Sequence, residues 1–129
     1  MPLLTFDLLA GRTPEQVTTL LDAAHDAMVS AFGVPERDRY QVVHEHPPTH
    51  LVVQDTGLGF ERTQDVVLVQ MTSRPRSQEQ KESFYRLLVE NLQSRCGIAS
   101  TDVMVSIREN TDADWSFGEG RAQFLTGDL

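Results

Sequence analysis

The chain has 129 residues and a mass of 14.5 kDa, the size of one ordinary domain that can bury a core without disulfides or a structural metal. Its 11 Lys and Arg against 19 Asp and Glu give a formal charge of −8. That balance disfavours an extended nucleic-acid or anionic-membrane surface, yet leaves room for a small anion held by a local arginine pair. Hydrophobic residues at 40% and charged residues at 23% describe a soluble globular protein rather than a disordered or membrane-spanning one.

The longest apolar run, Val66 to Val69, is far short of the ~20 residues a membrane helix needs. The start, Met1-Pro2-Leu3-Leu4-Thr5-Phe6-Asp7, has no basic segment and meets an acid early, so no secretory signal is expected. Cys96 stands alone, and a single cysteine forms no internal disulfide. A reducing cytoplasm is the expected location.

In chain order, Leu3 to Leu8 reads as a strand. Thr13 opens a helix, with Pro14 and Gln16 suited to its first turn. Val17, Leu20, Leu21, Ala24, Met28 and Ala31 recur at helical spacing until Gly33 stops the helix. Arg39 to Val43 reads as a second strand. Residues 47–65 are turn-rich, with Pro47-Pro48, Gly57 and Gly59, and read as a loop or hairpin. Val66 to Thr72 is the next strand, followed by a helix opened by Ser77 with Gln80 as a capping box. Its apolar face is Phe84, Leu87, Leu88 and Leu92, and Gly97 is its stop. Val103 to Ile107 is the last strand, and an irregular tail over 110–129 carries Trp115, Phe117 and Phe124.

These elements form an internal repeat with an offset of 64 residues, the separation of Arg12 from Arg76. Glu15 and Glu79, Gln16 and Gln80, Gly33 and Gly97, Asp38 and Asp102, and Glu45 and Glu109 fall at the same offset. The expected fold is α/β (α+β) in a single domain: two tandem β-α-β units, about 2–46 and 66–109, in one four-stranded mixed sheet with two helices and a pseudo-two-fold axis.

Under that symmetry the first strands of the two units run antiparallel. Pro2 then lies beside the strand end that leads into Arg74 and Arg76, and Asp38, ahead of the parallel second strand, joins the same end. The mirror end holds Val66, Arg12 and Asp102, where an internal amide replaces any free amine. Methionine is normally trimmed before a small second residue, which would leave the secondary amine of Pro2 at the terminus. An α-amine titrates near ~8, so burial and neighbouring cations tune it between acid, base and nucleophile, with Asp38 opposing them. Arg74 and Arg76 precede the helix opened by Ser77, and together outline a carboxylate or phosphate site. Arg76 has a twin in Arg12, whereas Arg74 aligns with Ala10, so Arg74 is the less structural of the two.

Other signals are weaker. His44, Glu45 and His46 with His50 resemble a metal cluster, but Pro47-Pro48 break the element and no further ligand has defined spacing, so no metal is expected. Cys96 lies in a helix C-terminal turn, where the dipole disfavours a thiolate. The glycine pairs Gly57/Gly59 and Gly118/Gly120 lack the flanking strand and helix of a dinucleotide site.

The tandem units, Pro2 behind Met1, and Ser73-Arg74-Pro75-Arg76-Ser77 resemble the tautomerase superfamily. Within it the chain is similar to the malonate semialdehyde decarboxylases. Asp22-Ala23-Ala24-His25-Asp26-Ala27-Met28, Asp55-Thr56-Gly57-Leu58-Gly59, Asp112-Ala113-Asp114-Trp115-Ser116-Phe117-Gly118 and Phe124-Leu125-Thr126-Gly127-Asp128-Leu129 extend the likeness over nearly the whole sequence. The resemblance implies catalytic Pro2, Asp38, Arg74 and Arg76, an apolar wall of Trp115, Phe117 and Phe124, a homotrimer, no cofactor, and conversion of 3-oxopropanoate to acetaldehyde and CO2. A tautomerase or hydratase acting on 2-oxo acids or on acetylenic or halogenated acrylates is the alternative, and a non-catalytic trimeric interaction protein a further one.

Overall fold

The computed structural model describes residues 1–129. Its strands are β1 (Leu3–Leu9), β2 (Tyr40–His46), β3 (Val67–Ser73) and β4 (Val103–Glu109), with long helices α1 (Pro14–Phe32) and α2 (Gln78–Cys96). A short helix α3 (Gln123–Thr126) lies in the tail, after single helical turns at Ser100–Asp102 and Asp112–Asp114. The sheet order is β2-β1-β3-β4. β1 pairs parallel with β2 and antiparallel with β3, and β3 pairs parallel with β4, so two β-α-β units meet across the central antiparallel pair.

Local signals set the helix bounds. Thr13 and Ser77 cap α1 and α2, each closing a capping box with Gln16 or Gln80, and Pro14 fills the first helical turn. Gly33 and Gly97 end them at φ +66° and +68°, the left-handed conformation in which a Cβ is strained. Alternation in the strands puts Leu4, Phe6, Leu8, Val67, Val69 and Met71 under the helices, against Leu20, Ala24, Met28, Phe84, Leu88 and Leu92. Ala23, Ala27 and Phe32 join this core, Leu21, Ala31 and Leu87 are only half-buried at its edge, and Val17 is half-buried outside it.

The opposite face of the sheet has no helix over it. Leu3, Tyr40, Val42 and Met104 alternate along its strands at 37–42% exposure. Residues 47–65 form a loop with turns, the first of the two readings the sequence left open. The bound of the second strand is corrected. β2 runs through His46, because Leu9 pairs with it, and Asp7 of β1 accepts from His46 Nε2 at 2.7 Å and faces His44 Nδ1 at 3.5 Å. Strand pairing thus brings a carboxylate to these histidines that sequence spacing did not reveal, although no group of three or more His, Cys, Asp or Glu is arranged to hold a metal ion. No helix is long and apolar enough to cross a membrane.

Candidate active site at the amino terminus

Strand register gathers the expected residues. Leu3 pairs with Tyr40 on one side and Thr72 on the other, so Pro2, Asp38 and the Arg74–Arg76 segment meet at one end of the sheet. Pro2 is buried, and Asp38 is only 5% exposed. The α-amino group, carried by Met1 in the full chain, is lowered from 8.0 to about 6. Burial is the main cause, the charges of Arg76 and Arg74 add to it, and Asp38 and Asp112 oppose it. The Asp38 carboxyl is raised above its usual value, again first by burial, against the pull of the amine, Arg76, His25 and Arg74.

The two arginines are held differently. Arg74 Nη1 donates to Asp112 at 3.0 Å, and its guanidinium lies 3.9 Å from the centre of the Phe124 ring. Arg76 lies over Phe32 at 5.1 Å and donates from Nε to Ser73 Oγ at 3.1 Å. Burial and the charge of Arg74 lower the affinity of Arg76 for its proton. The Arg76 backbone N–H donates to Glu109 Oε2 at 2.8 Å, and Lys81 Nζ lies 3.4 Å from the same carboxylate. An acid of the chain itself therefore serves the start of α2, and the helix contributes less to an external anion than the sequence suggested.

The tail closes the site. Asn110 N–H donates to the Ser73 carbonyl at 2.8 Å, and Trp115 Nε1 donates to Asn110 Oδ1 at 2.7 Å. Trp115 stacks on Phe117, and Phe117 meets Phe124 edge-on, both at 5.5 Å between centroids; Tyr40 lies 5.6 Å from Phe117. A cavity of about 350 Å³ is lined by Met1, Asp38, Tyr40, Phe117, Gln123 and Leu129 among others. Phe117 lines this cavity directly, whereas Trp115 and Phe124 back it.

A larger cavity, about 540 Å³, lies at the mirror end beside Arg12, Asp65, Arg95 and Cys96. Chemistry nevertheless favours the smaller one. Arg12 donates to the Asp65 carbonyl at 2.7 Å, and Arg95 pairs with Asp26 at 2.6 Å. Asp102, twin of Asp38, accepts from Thr63 N at 2.7 Å and Thr63 Oγ1 at 2.5 Å. The thiol of Cys96 is raised by burial. Three buried side-chain polar atoms in the chain have no partner: Asp38 Oδ2, Arg74 Nε and His25 Nδ1. Asp38 and Arg74 both bear on the amine, and His25 bears on Asp38. A buried group left unpaired costs on the order of 1–3 kcal/mol, so a cluster of them marks a place where a ligand completes the bonding.

Two family profiles, both described as tautomerase enzymes, match residues 2–61 and 38–118. A probable tautomerase of Bacillus subtilis (strain 168), YrdN, is 60% identical over 129 residues, covering 100% of both chains. The chain belongs to the tautomerase superfamily. Among solved tautomerase-superfamily structures, malonate semialdehyde decarboxylase, described with decarboxylase and hydratase activities, is 61% identical over 98% of each chain with a TM-score of 0.97. A wild-type fused 4-OT described as a symmetric trimer is 25% identical over 97% of this chain and 98% of its own, with a TM-score of 0.78.

Two residues around the candidate site were not legible as such in the sequence: His25, which bears on Asp38, and Asp112, which pairs with Arg74. His25 was hidden as one more position on the α1 face, and its burial is the signal that marks it. Asp112 pairs with Arg74 only because the tail folds back.

Proposed function

We propose that the chain decarboxylates malonate semialdehyde (3-oxopropanoate) to acetaldehyde and CO2 without a cofactor, using the secondary amine of Pro2 after loss of Met1. The observation that carries this reading is the convergence of unpartnered Asp38 Oδ2 and Arg74 Nε on a chain start where burial and two arginines depress an amine. The likeness to malonate semialdehyde decarboxylase supports it.

Decarboxylation breaks the C1–C2 bond and leaves its electron pair on C2, so the site must draw that pair into the C3 carbonyl. A protonated Pro2 donates its proton to the carbonyl oxygen as CO2 leaves, giving the enol. A neutral Pro2 instead attacks C3, expels water as the iminium forms, and receives the pair as an enamine. Protonation at C2 then yields acetaldehyde, directly or after hydrolysis. Arg74 and Arg76 hold the carboxylate. Held too evenly, that charge would raise the barrier as it departs, and the apolar wall of Phe117, backed by Trp115 and Phe124, disfavours the localised carboxylate and offsets this. Asp38 opposes the arginines and keeps a proton available to the amine.

Hydration is a second reading of the same parts, because the free Asp38 oxygen suits a water molecule and the decarboxylase it resembles is described with hydratase activity. The uncovered sheet face, with Leu3, Tyr40, Val42 and Met104 exposed, together with the trimer of fused 4-OT, supports a homotrimer.

The test is an NMR-monitored panel of 3-oxopropanoate, enol pyruvates and halogenated acrylates, with intact-mass analysis of the terminus. Loss of Met1 and CO2 release exceeding ketonisation are expected. Efficient ketonisation without CO2 overturns the decarboxylase reading, and full activity in a chain that keeps Met1 overturns the role of Pro2.

A further inference from the structure

His25 lies on α1 at 5% exposure, and its 64-residue counterpart is Val89. The histidine is therefore not a requirement of the repeat. Its Nε2 lies 2.8 Å from the Glu36 carbonyl. A carbonyl only accepts, so Nε2 carries a proton in either charge state of the ring, and Nδ1 is buried and without a partner. Glu36 belongs to the turn in which Asp38 N–H donates to the Pro35 carbonyl at 3.0 Å. One bond from His25 thus pins the turn that carries Asp38, two residues before it. The second unit shows what replaces this arrangement. There Asp102 is held by Thr63 directly, whereas Asp38 Oδ2 has no partner.

We propose that His25 is a positioning residue for Asp38: it fixes the Pro35–Asp38 turn through the Glu36 carbonyl and, through the charge on its ring, sets the ionisation of the Asp38 carboxyl that faces the amine. This rests on the reading of the chain start as the catalytic amine. The charged groups facing Asp38 are the amine ahead of β1, Arg74 and Arg76 ahead of α2, and His25 on α1. Of these, His25 is the one that lies on a core helix and outside the groups that meet the substrate. An imidazolium there favours the carboxylate, and a neutral ring releases it to take a proton.

His25→Gln keeps a donor for Glu36 but carries no charge, whereas His25→Leu removes both. In the purified full-length chain, the acid limb of the kcat/KM pH profile is expected to move to higher pH in His25→Gln, with the plateau kept within about threefold. His25→Leu is expected to lose roughly 10-fold to 100-fold in kcat/KM from misplacement of Asp38. A ¹⁵N NMR titration of the terminal amine supplies a readout independent of turnover, and its midpoint is expected to differ between wild type and His25→Gln. A His25→Gln profile and titration both superimposable on wild type overturn the proposal, even where His25→Leu fails to fold. Wild-type chain with no decarboxylation overturns the functional reading instead, and the amine titration still decides the role of His25.

Discussion

Replacing Asp102 and Asp38 in parallel separates folding from chemistry, because the repeat puts the same residue in a satisfied and an unsatisfied setting. Asp102 is 1% exposed and accepts two hydrogen bonds from Thr63. Asp102→Ala strands both donors. At roughly 1.5–3 kcal/mol for each hydrogen bond to a charged group, the loss for the two is about 3–6 kcal/mol. For a chain of this length that lowers Tm by roughly 10–20 °C. Asp38→Asn keeps the shape and removes a charge that burial disfavours and whose Oδ2 has no partner. The raised carboxyl means that wild type loses stability as pH rises through the Asp38 titration, a loss the asparagine variant does not suffer. Its Tm at pH 7 should therefore stay within about 3 °C of wild type or rise, while kcat/KM falls at least tenfold, roughly 1.4 kcal/mol of transition-state stabilisation. Thermal melts at one protein concentration, paired with NMR assays at a temperature where both variants are folded, measure this. Equal loss of Tm in both variants, or loss of activity in folded Asp102→Ala, refutes the reasoning.

Arg74→Ala should lower kcat/KM by roughly 30-fold to 1,000-fold, the worth of about 2–4 kcal/mol for a positioned charge-assisted contact. Arg12→Ala, which loses only its bond to the Asp65 carbonyl, should stay within about threefold of wild type in steady-state assays; similar small effects from both would reduce Arg74 to a structural role. In a preparation that retains Met1, the amine should titrate near about 6 rather than 8.0. Its neutral form is the one favoured by folding, so this contribution to stability is present above pH 8 and fades as pH falls through the folded value. Asp38→Asn should depress the amine further, because the carboxylate raises it, and an ¹⁵N titration midpoint near 8 would contradict this account.

Much of the architecture was legible in the sequence because its determinants are local or periodic. Thr13 with Gln16, Ser77 with Gln80, and the left-handed Gly33 and Gly97 bound the helices wherever the rest of the chain lies, and alternating Leu4, Phe6 and Leu8 choose a sheet face by themselves. The 64-residue repeat then fixes the pairing order, so the approach of Pro2, Asp38, Arg74 and Arg76 followed from topology alone. Tertiary structure decided what register and packing control. It carried β2 on to His46 against Leu9, set Glu109 at the start of α2, and turned the tail so that Asp112 and Phe124 hold Arg74. It also divided two identical aspartates. Thr63 satisfies Asp102, whereas Asp38 remains buried and open beside His25, because hydrogen bonds between residues far apart in sequence depend on where folding brings each donor, and no spacing rule encodes that.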